Sequence, residues 1–227
     1  MTGRIAIVTG ASSGIGEGIA TAFGAEGATV VLGGRRPAEL DRVAAAVTAA
    51  GGKALALPGD VRQEADILKL FETVKNTFGR LDVLAVNLTA PFLATREAVK
   101  MMKAQKPQGG RIITMGSVSQ KTPRPDSLAY TATKHALHGL THQVTRDGRA
   151  YGVVASIIHA GSTLSGFTRQ TVGAVAKAGP GPTPQQYVMA ASDVARIAVL
   201  MATLPDEVNL FEATILPNQM PSFIDRG

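Results

Sequence analysis

The chain has 227 residues, 45% of them hydrophobic and 18% charged, which is enough apolar material for a sizeable core and too mixed for disorder or a fibre. Its 0 Cys exclude disulfide scaffolds, thiolate nucleophiles and thiolate metal sites. Lys and Arg outnumber Asp and Glu by 23 to 17, a net charge of +6, yet the cations are scattered and aromatics are only 4%. A nucleic-acid platform therefore lacks its basic run and its stacking rings, and an anionic cofactor is the other partner such a charge suits.

Met1-Thr2-Gly3-Arg4 leads into a short apolar stretch, with no signal-like segment and no run long enough for a bilayer, so a cytoplasmic protein without a membrane partner is expected. In chain order the pattern predicts a strand over Arg4 to Thr9, a Gly-rich turn and a helix through Gly27. A strand Thr29 to Leu32, a helix Pro37 to Ala50, a strand Lys53 to Leu57 and a helix Gln63 to Phe78 follow, then a buried strand Leu81 to Val86. Beyond it come a helix near Ala90 to Gln105, a strand Arg111 to Met115, a helix from about Ser127 to Ala150 and a strand Val153 to Ile158. A helix Ser192 to Thr203 and a strand Phe211 to Leu216 complete the series. Alternation of this kind predicts an α/β fold, a doubly wound parallel sheet, because each right-handed crossover lays its helix over the sheet. Gly173 to Pro184 has a linker-like composition, but too little chain follows it for a second domain. A single domain over residues 1–227 is expected, with a substrate-loop insertion at about 162–190.

Thr9-Gly10-Ala11-Ser12-Ser13-Gly14-Ile15-Gly16 stands between the first strand and the first helix, where a parallel sheet of this type binds ligands. Gly10 suits a tight turn, Gly14 a close backbone approach to a pyrophosphate and Gly16 helix-on-strand packing, while the helix N-terminus offers N–H donors. A glycine-rich turn with no ligand is the plainer alternative for a lone motif. At the end of the second strand, where an NAD binder carries a carboxylate for the ribose, the chain reads Gly33-Gly34-Arg35-Arg36. Two guanidiniums able to fork onto a phosphate favour NADP over NAD. Asp60, next to Val61 at the end of the third strand, suits an adenine amino group; with Gln63 it also has the spacing of a helix-capping pair, and both readings stand.

Tyr130 and Lys134 lie four apart on a helix, so phenol and ammonium leave the same face. At about 4 Å and an effective dielectric near 20, the ammonium stabilises a phenolate by roughly 4 kcal/mol, about three pKa units before desolvation. Ser117, 13 residues earlier at a strand end, can address the same substrate oxygen with its hydroxyl.

Taken together, the run TGASSGIG, Asp60-Val61, Ser117 and YTATK, in that order, resemble the short-chain dehydrogenase/reductase family over nearly the whole chain. The resemblance implies a Rossmann fold and an NADP(H)-dependent enzyme interconverting a secondary alcohol and a ketone. It makes Tyr130 the general acid/base, with Lys134 lowering its pKa and holding the nicotinamide ribose, and Ser117 orienting the carbonyl. Ser12, Ser13 and Ile15 fall within the family's cofactor loop, and no metal is implied. Dimeric or tetrameric assembly is also implied, and the terminal Leu216-Pro217-Asn218-Gln219 and Arg226-Gly227 resemble tails that pack between subunits.

Three departures stand out. Val86 runs directly into Asn87-Leu88-Thr89, as though the fourth strand had been joined to the middle of the next helix. Either the protein has lost that stretch or the sequence is an incomplete copy. Asn87 is then either a remnant of the family's Asn-Asn-Ala-Gly or its water-organising asparagine, and the residues after it favour the second. His159-Ala160-Gly161 replaces the usual Pro-Gly, loosening a φ that proline would fix. Ser165 falls where a threonine often contacts the nicotinamide carboxamide, with Thr163 a close alternative. A catalytically impaired NADP binder, acting through oligomer contacts or redox sensing, is the rival that the junction raises. His135, His138 and His142 form one stripe after Lys134, but the surrounding apolar residues indicate a packed helix with a polar edge, not a metal site.

Overall fold

A computed structural model describes residues 1–86, 91–123, 126–164 and 188–218. Asn87, the Val86/Asn87 junction, Ser165, the Gly173 to Pro184 stretch and the chain after Asn218 lie outside the described residues.

Seven strands, β1 Ile5–Thr9, β2 Thr29–Gly34, β3 Lys53–Pro58, β4 Val83–Val86, β5 Gly110–Met115, β6 Val153–Ala160 and β7 Glu212–Ile215, form one sheet in the order β3-β2-β1-β4-β5-β6-β7. Every pairing is parallel. The strand order reverses direction between β1 and β4, which opens a crevice at their C-terminal ends. The helices are α1 Gly14–Ala25, α2 Pro37–Ala49, α3 Glu64–Phe78, α4 Pro91–Ala104, α5 Leu128–Gly148 and α6 Ala191–Thr203. This is the doubly wound Rossmann-like fold that the alternation predicts, in one domain.

Alternation along each strand divides the core between two faces. Ala6 and Val8 of β1 join Ile19 and Phe23 of α1, Leu40 of α2 and Val194 of α6 in one buried cluster. Ile5 and Ile7 point the other way, with Phe71 of α3 and Met102 of α4. On α5, Lys134, Leu137, Thr141 and Gly148 are buried at helical spacing, so the lysine belongs to the face turned inward.

Element ends differ from expectation where side chains intervene. β4 starts at Val83, not Leu81, because the Leu81 N–H donates to the Gln105 side chain at 2.8 Å while Asp82 Oδ2 accepts from the Ile5 N–H at 2.8 Å. Helix α5 stops at Gly148 and gives way to a 3-10 turn, Arg149–Tyr151. β6 runs two residues past Ile158, with Ala160 paired to Ile215 and the Gly161 N–H donating to the Ile215 carbonyl. Thr163 and Met189 then form an isolated parallel bridge, with Met189 N–H donating to Ser162 O at 2.9 Å and Leu164 N–H to Met189 O at 2.8 Å. The chain thus leaves and returns around 165–187 through a closed stem. Among the described residues no helix is long and apolar enough to cross a membrane.

Candidate active site

The turn after β1 is shaped by its glycines. Gly10 and Gly14 hold φ of 65° and 61°, the left-handed region that disfavours a Cβ. At Gly16 a Cβ would stand 2.2 Å from the Gly10 carbonyl oxygen, so only glycine lets α1 pack on the turn. The N-cap Ser13 makes no side-chain capping bond. The first-turn N–H groups, grouped at the positive end of the helix dipole, are thereby presented to an anion at the crevice. Ile15 sits half-buried behind them.

Arg36 reaches back onto this turn: its Nη2 donates to the Ser12 carbonyl and hydroxyl, both at 3.1 Å, and to the Ser13 hydroxyl at 2.9 Å. Arg35 is exposed beside it and contributes to lowering the pKa of Asp60. These residues fit a phosphate-bearing dinucleotide: an uncapped helix N-terminus, a turn free of Cβ atoms and two cations at the tip of β2.

Asp60 is held by a partner that neither expectation included. Arg62 clamps its carboxylate, Nε donating to Oδ2 at 2.9 Å, and this hydrogen bond, the largest cause, holds the carboxyl down at about 2. The capping pair with Gln63 does not form: Gln63 is the N-cap of α3 without a side-chain bond, and Asp66 Oδ2 instead accepts from the Asp60 N–H at 2.8 Å. Val61 lines a cavity of about 110 Å³ with Gly33, Gly34, Leu57 and Ile67, between the tips of β2 and β3. Nothing local in the sequence pointed to Arg62, although a basic residue two positions after an acid at a strand end is within reach of it.

At the other end of the crevice, Lys134 is 2% exposed. Its Nζ donates to the Met115 carbonyl at 2.7 Å and lies 5.6 Å from the centre of the Tyr130 ring. Burial pushes the lysine pKa down to about 8. Tyr130 is 42% exposed, so its ring is open to a substrate while its neighbour is dry. Ser117, two residues after Met115, is 4% exposed, and its Oγ accepts from the Ser119 N–H at 3.1 Å. That bond uses a lone pair, not the hydroxyl proton, so the oxygen is oriented while the proton can be donated. The spacing of Ser117 and Ser119 carries that turn signal, whereas the role of the Met115 carbonyl has no signature in its side chain.

Gly161 donates its N–H to the Ile215 carbonyl at 2.8 Å. Thr163, the alternative to Ser165, is 3% exposed, and its hydroxyl donates to the Gly161 carbonyl at 3.1 Å, turned into the stem. Of the histidine stripe, His135 bonds the Thr131 carbonyl, and His138 approaches Glu212 at 3.4 Å.

A family model described as short chain dehydrogenase matches residues 4–87 and 83–175, two segments that meet at the end of β4. A 3beta-hydroxysteroid dehydrogenase of Mediterraneibacter gnavus is 33% identical over 193 residues, covering 74% of this chain and 69% of its own. The Bacillus subtilis oxidoreductase YxjF is 28% identical over 89% of this chain and 92% of its own. Among solved structures, L-sorbose reductase of Gluconobacter frateurii, complexed with NADPH and L-sorbose, superposes with a TM-score of 0.86 at 22% identity, covering 98% of both chains. A metagenomic short-chain oxidoreductase in complex with NADP has a TM-score of 0.76 at 30% identity, covering 95% of this chain and 96% of its own. The seven-stranded parallel sheet agrees with those matches, and the chain belongs to the short-chain dehydrogenase/reductase family.

Proposed function

We propose that this oxidoreductase interconverts a secondary alcohol and a ketone with NADP(H), using Tyr130 as the group that exchanges the proton. The observation that carries the reading is Lys134, a buried amine tied to the Met115 carbonyl and facing the Tyr130 ring. In the reductive direction the Tyr130 hydroxyl gives its proton to the carbonyl oxygen; in the oxidative direction the phenolate takes it back. The charged form of Lys134, desolvated and fixed, favours that phenolate. The Ser117 hydroxyl donates to the same oxygen and stabilises the negative charge that develops there. When bound, NADP(H) supplies the hydride to the substrate carbon or accepts it from the alcohol.

Gly10, Ser12, Ser13, Gly14, Ile15 and Gly16 are assigned to the pyrophosphate side, and Arg35 with Arg36 to the ribose phosphate. Asp60 and Val61 are assigned to the adenine side. Tyr130, Lys134, Gly161 and Ser165 are assigned to the nicotinamide side. Asn87, next in sequence after β4, is assigned to the water-organising position. The NADPH and NADP complexes of the structural neighbours support the cofactor choice. A homo-oligomer of two or four copies in the cytoplasm accompanies this reading.

The test is NADPH titration followed by turnover on a panel of ketones, in the wild type and in Tyr130→Phe. Expected are binding in both and turnover lower by about 10² to 10⁴ in the variant. Tight binding with no ketone reduced, unchanged in Tyr130→Phe, would instead favour a binder without turnover.

A further inference from the structure

His159, at the place where the family resemblance breaks, lies on the α5 side of β6 and is 1% exposed. Its Nδ1 stands 3.2 Å from the Ser117 carbonyl oxygen. The room for the ring comes from the residue before the serine: a Cβ on Gly116 would lie 2.6 Å from His159 Nδ1. On the far side, Nε2 faces Glu212 Oε1 of β7 at 3.4 Å and makes no hydrogen bond.

Both groups that flank the imidazole are acceptors, and a neutral ring has one N–H to give. The Ser117 carbonyl accepts only, so a hydrogen bond at 3.2 Å requires the proton on Nδ1. That is a choice of tautomer imposed by the site. Lys121, His138 and His142 are the other titratable side chains around the pair. Lys121 Nζ, just after the 3-10 turn Val118–Gln120, sits 3.0 Å from Glu212 Oε1 and offsets its charge. His138 of α5 approaches Glu212 Oε2 at 3.4 Å, with His142 behind it at 3.3 Å from His138. Burial, the largest influence, pushes the His159 pKa below its ordinary value, which keeps the ring neutral.

We infer that His159, backed by Glu212, is a positioning residue for Ser117: its Nδ1–H fixes the Ser117 carbonyl and so the turn that aims the Ser117 hydroxyl. The same carbonyl accepts from the Gln120 N–H at 3.1 Å, and the Ser117 hydroxyl accepts from the Ser119 N–H at 3.1 Å, so carbonyl and hydroxyl belong to one small rigid turn. Removing the imidazole bond leaves the turn held from one side only. The inference rests on the proposed reduction for its kinetic consequence, and on geometry alone for the tautomer.

The experiment pairs nuclear magnetic resonance with kinetics. Long-range ¹H–¹⁵N spectra of histidine-labelled protein at pH 7.5, with His159 assigned by its loss in His159→Asn, are expected to show a proton on Nδ1 and none on Nε2. A proton on Nε2 would overturn the inference. Asparagine can place its amide N–H near the Nδ1 position, whereas phenylalanine fills the space without a donor. With NADPH and the best ketone of the panel, His159→Phe is expected to lose about 10² in kcat, as a misplaced catalytic hydroxyl would, with KM and NADPH affinity within about twofold. His159→Asn is expected to recover most of that loss, and thermal melts compare the folding of the two variants. Equal losses in both, or full activity in His159→Phe, would overturn it. If the wild type reduces no ketone, the proposed function fails by itself, and the inference is decided by the tautomer and by the Ser117 carbonyl ¹³C shift. That shift is expected to move in His159→Phe and return in His159→Asn; a shift unchanged in both would overturn it.

Discussion

Arg36, N-cap of α2, donates through one guanidinium nitrogen to the Ser13 hydroxyl at 2.9 Å, joining the tip of β2 to the glycine turn after β1. The cation is thereby organised before any ligand arrives, at the place where a carboxylate would discriminate against a ribose phosphate. Arg36→Ala is expected to weaken NADPH about tenfold or more while leaving NADH within about twofold, since a charge-assisted phosphate contact is lost in one case only. Fluorescence titration with both nucleotides reads this directly; equal losses would assign Arg36 to the turn's shape alone.

Gly16 is a matter of space. A Cβ 2.2 Å from the Gly10 carbonyl cannot be absorbed by a side-chain rotation, so turn or helix must shift. Gly16→Ala is expected to cost about 1–3 kcal/mol in urea unfolding, as overpacking does, and to weaken NADPH binding with it. Wild-type stability in that variant would contradict the contact.

Lys134 gives a pH signature. Its pKa is pushed down to about 8 by burial, from an ordinary value of 10.5. Between those values the unfolded chain holds the proton that the folded, cofactor-free protein has released, so stability rises with pH across this window. Below about pH 8 both states are protonated and the full cost of burying the charge is felt, on the order of 3 kcal/mol. Relative to wild type, Lys134→Met is expected to lack this rise when chemical denaturation is followed from pH 7.5 to 10.5. An identical slope in both proteins would show that the amine is hydrated.

Arg111 is 5% exposed, and its guanidinium donates to the carbonyls of Leu204 at 2.9 Å, Pro205 at 2.6 Å and Val208 at 3.1 Å. It gathers the carbonyls at and just beyond the C-terminus of α6 against β5, where helix dipole and unpaired oxygens both favour a cation. Arg111→Leu is expected to cost about 2–3 kcal/mol, because those buried oxygens lose their partner. Denaturant midpoints with an unchanged slope would measure it.

Much of this was legible beforehand because its causes are local. Pro37 opens α2 and Gly79 closes α3 with a φ of 71°, and the β-branched runs of β1 and β2 match buried strands. Tyr130 and Lys134 announce themselves by a helical interval. The relationships that eluded the sequence join distant positions. Glu212 meets His159 only because β7 lies beside β6, and Lys134 finds a backbone carbonyl that every residue type carries. Ala160 was visible as a missing proline, but that β6 extends through it to pair with Ile215 was not. Asp60 was open to an adenine amino group by its place at a strand end and to a cap with Gln63 by spacing, and Arg62, named by neither, pairs with the carboxylate.

The stem at Thr163 and Met189 separates two kinds of change. With the ends of the excursion already clasped to each other, its closure entropy depends only weakly on its length, about 0.6 kcal/mol for each doubling. Ser117, just past the end of β5, and Tyr130 and Lys134 on α5 all stand outside that clasp. The length of chain between Thr163 and Met189 is thereby decoupled from the elements that carry those three side chains.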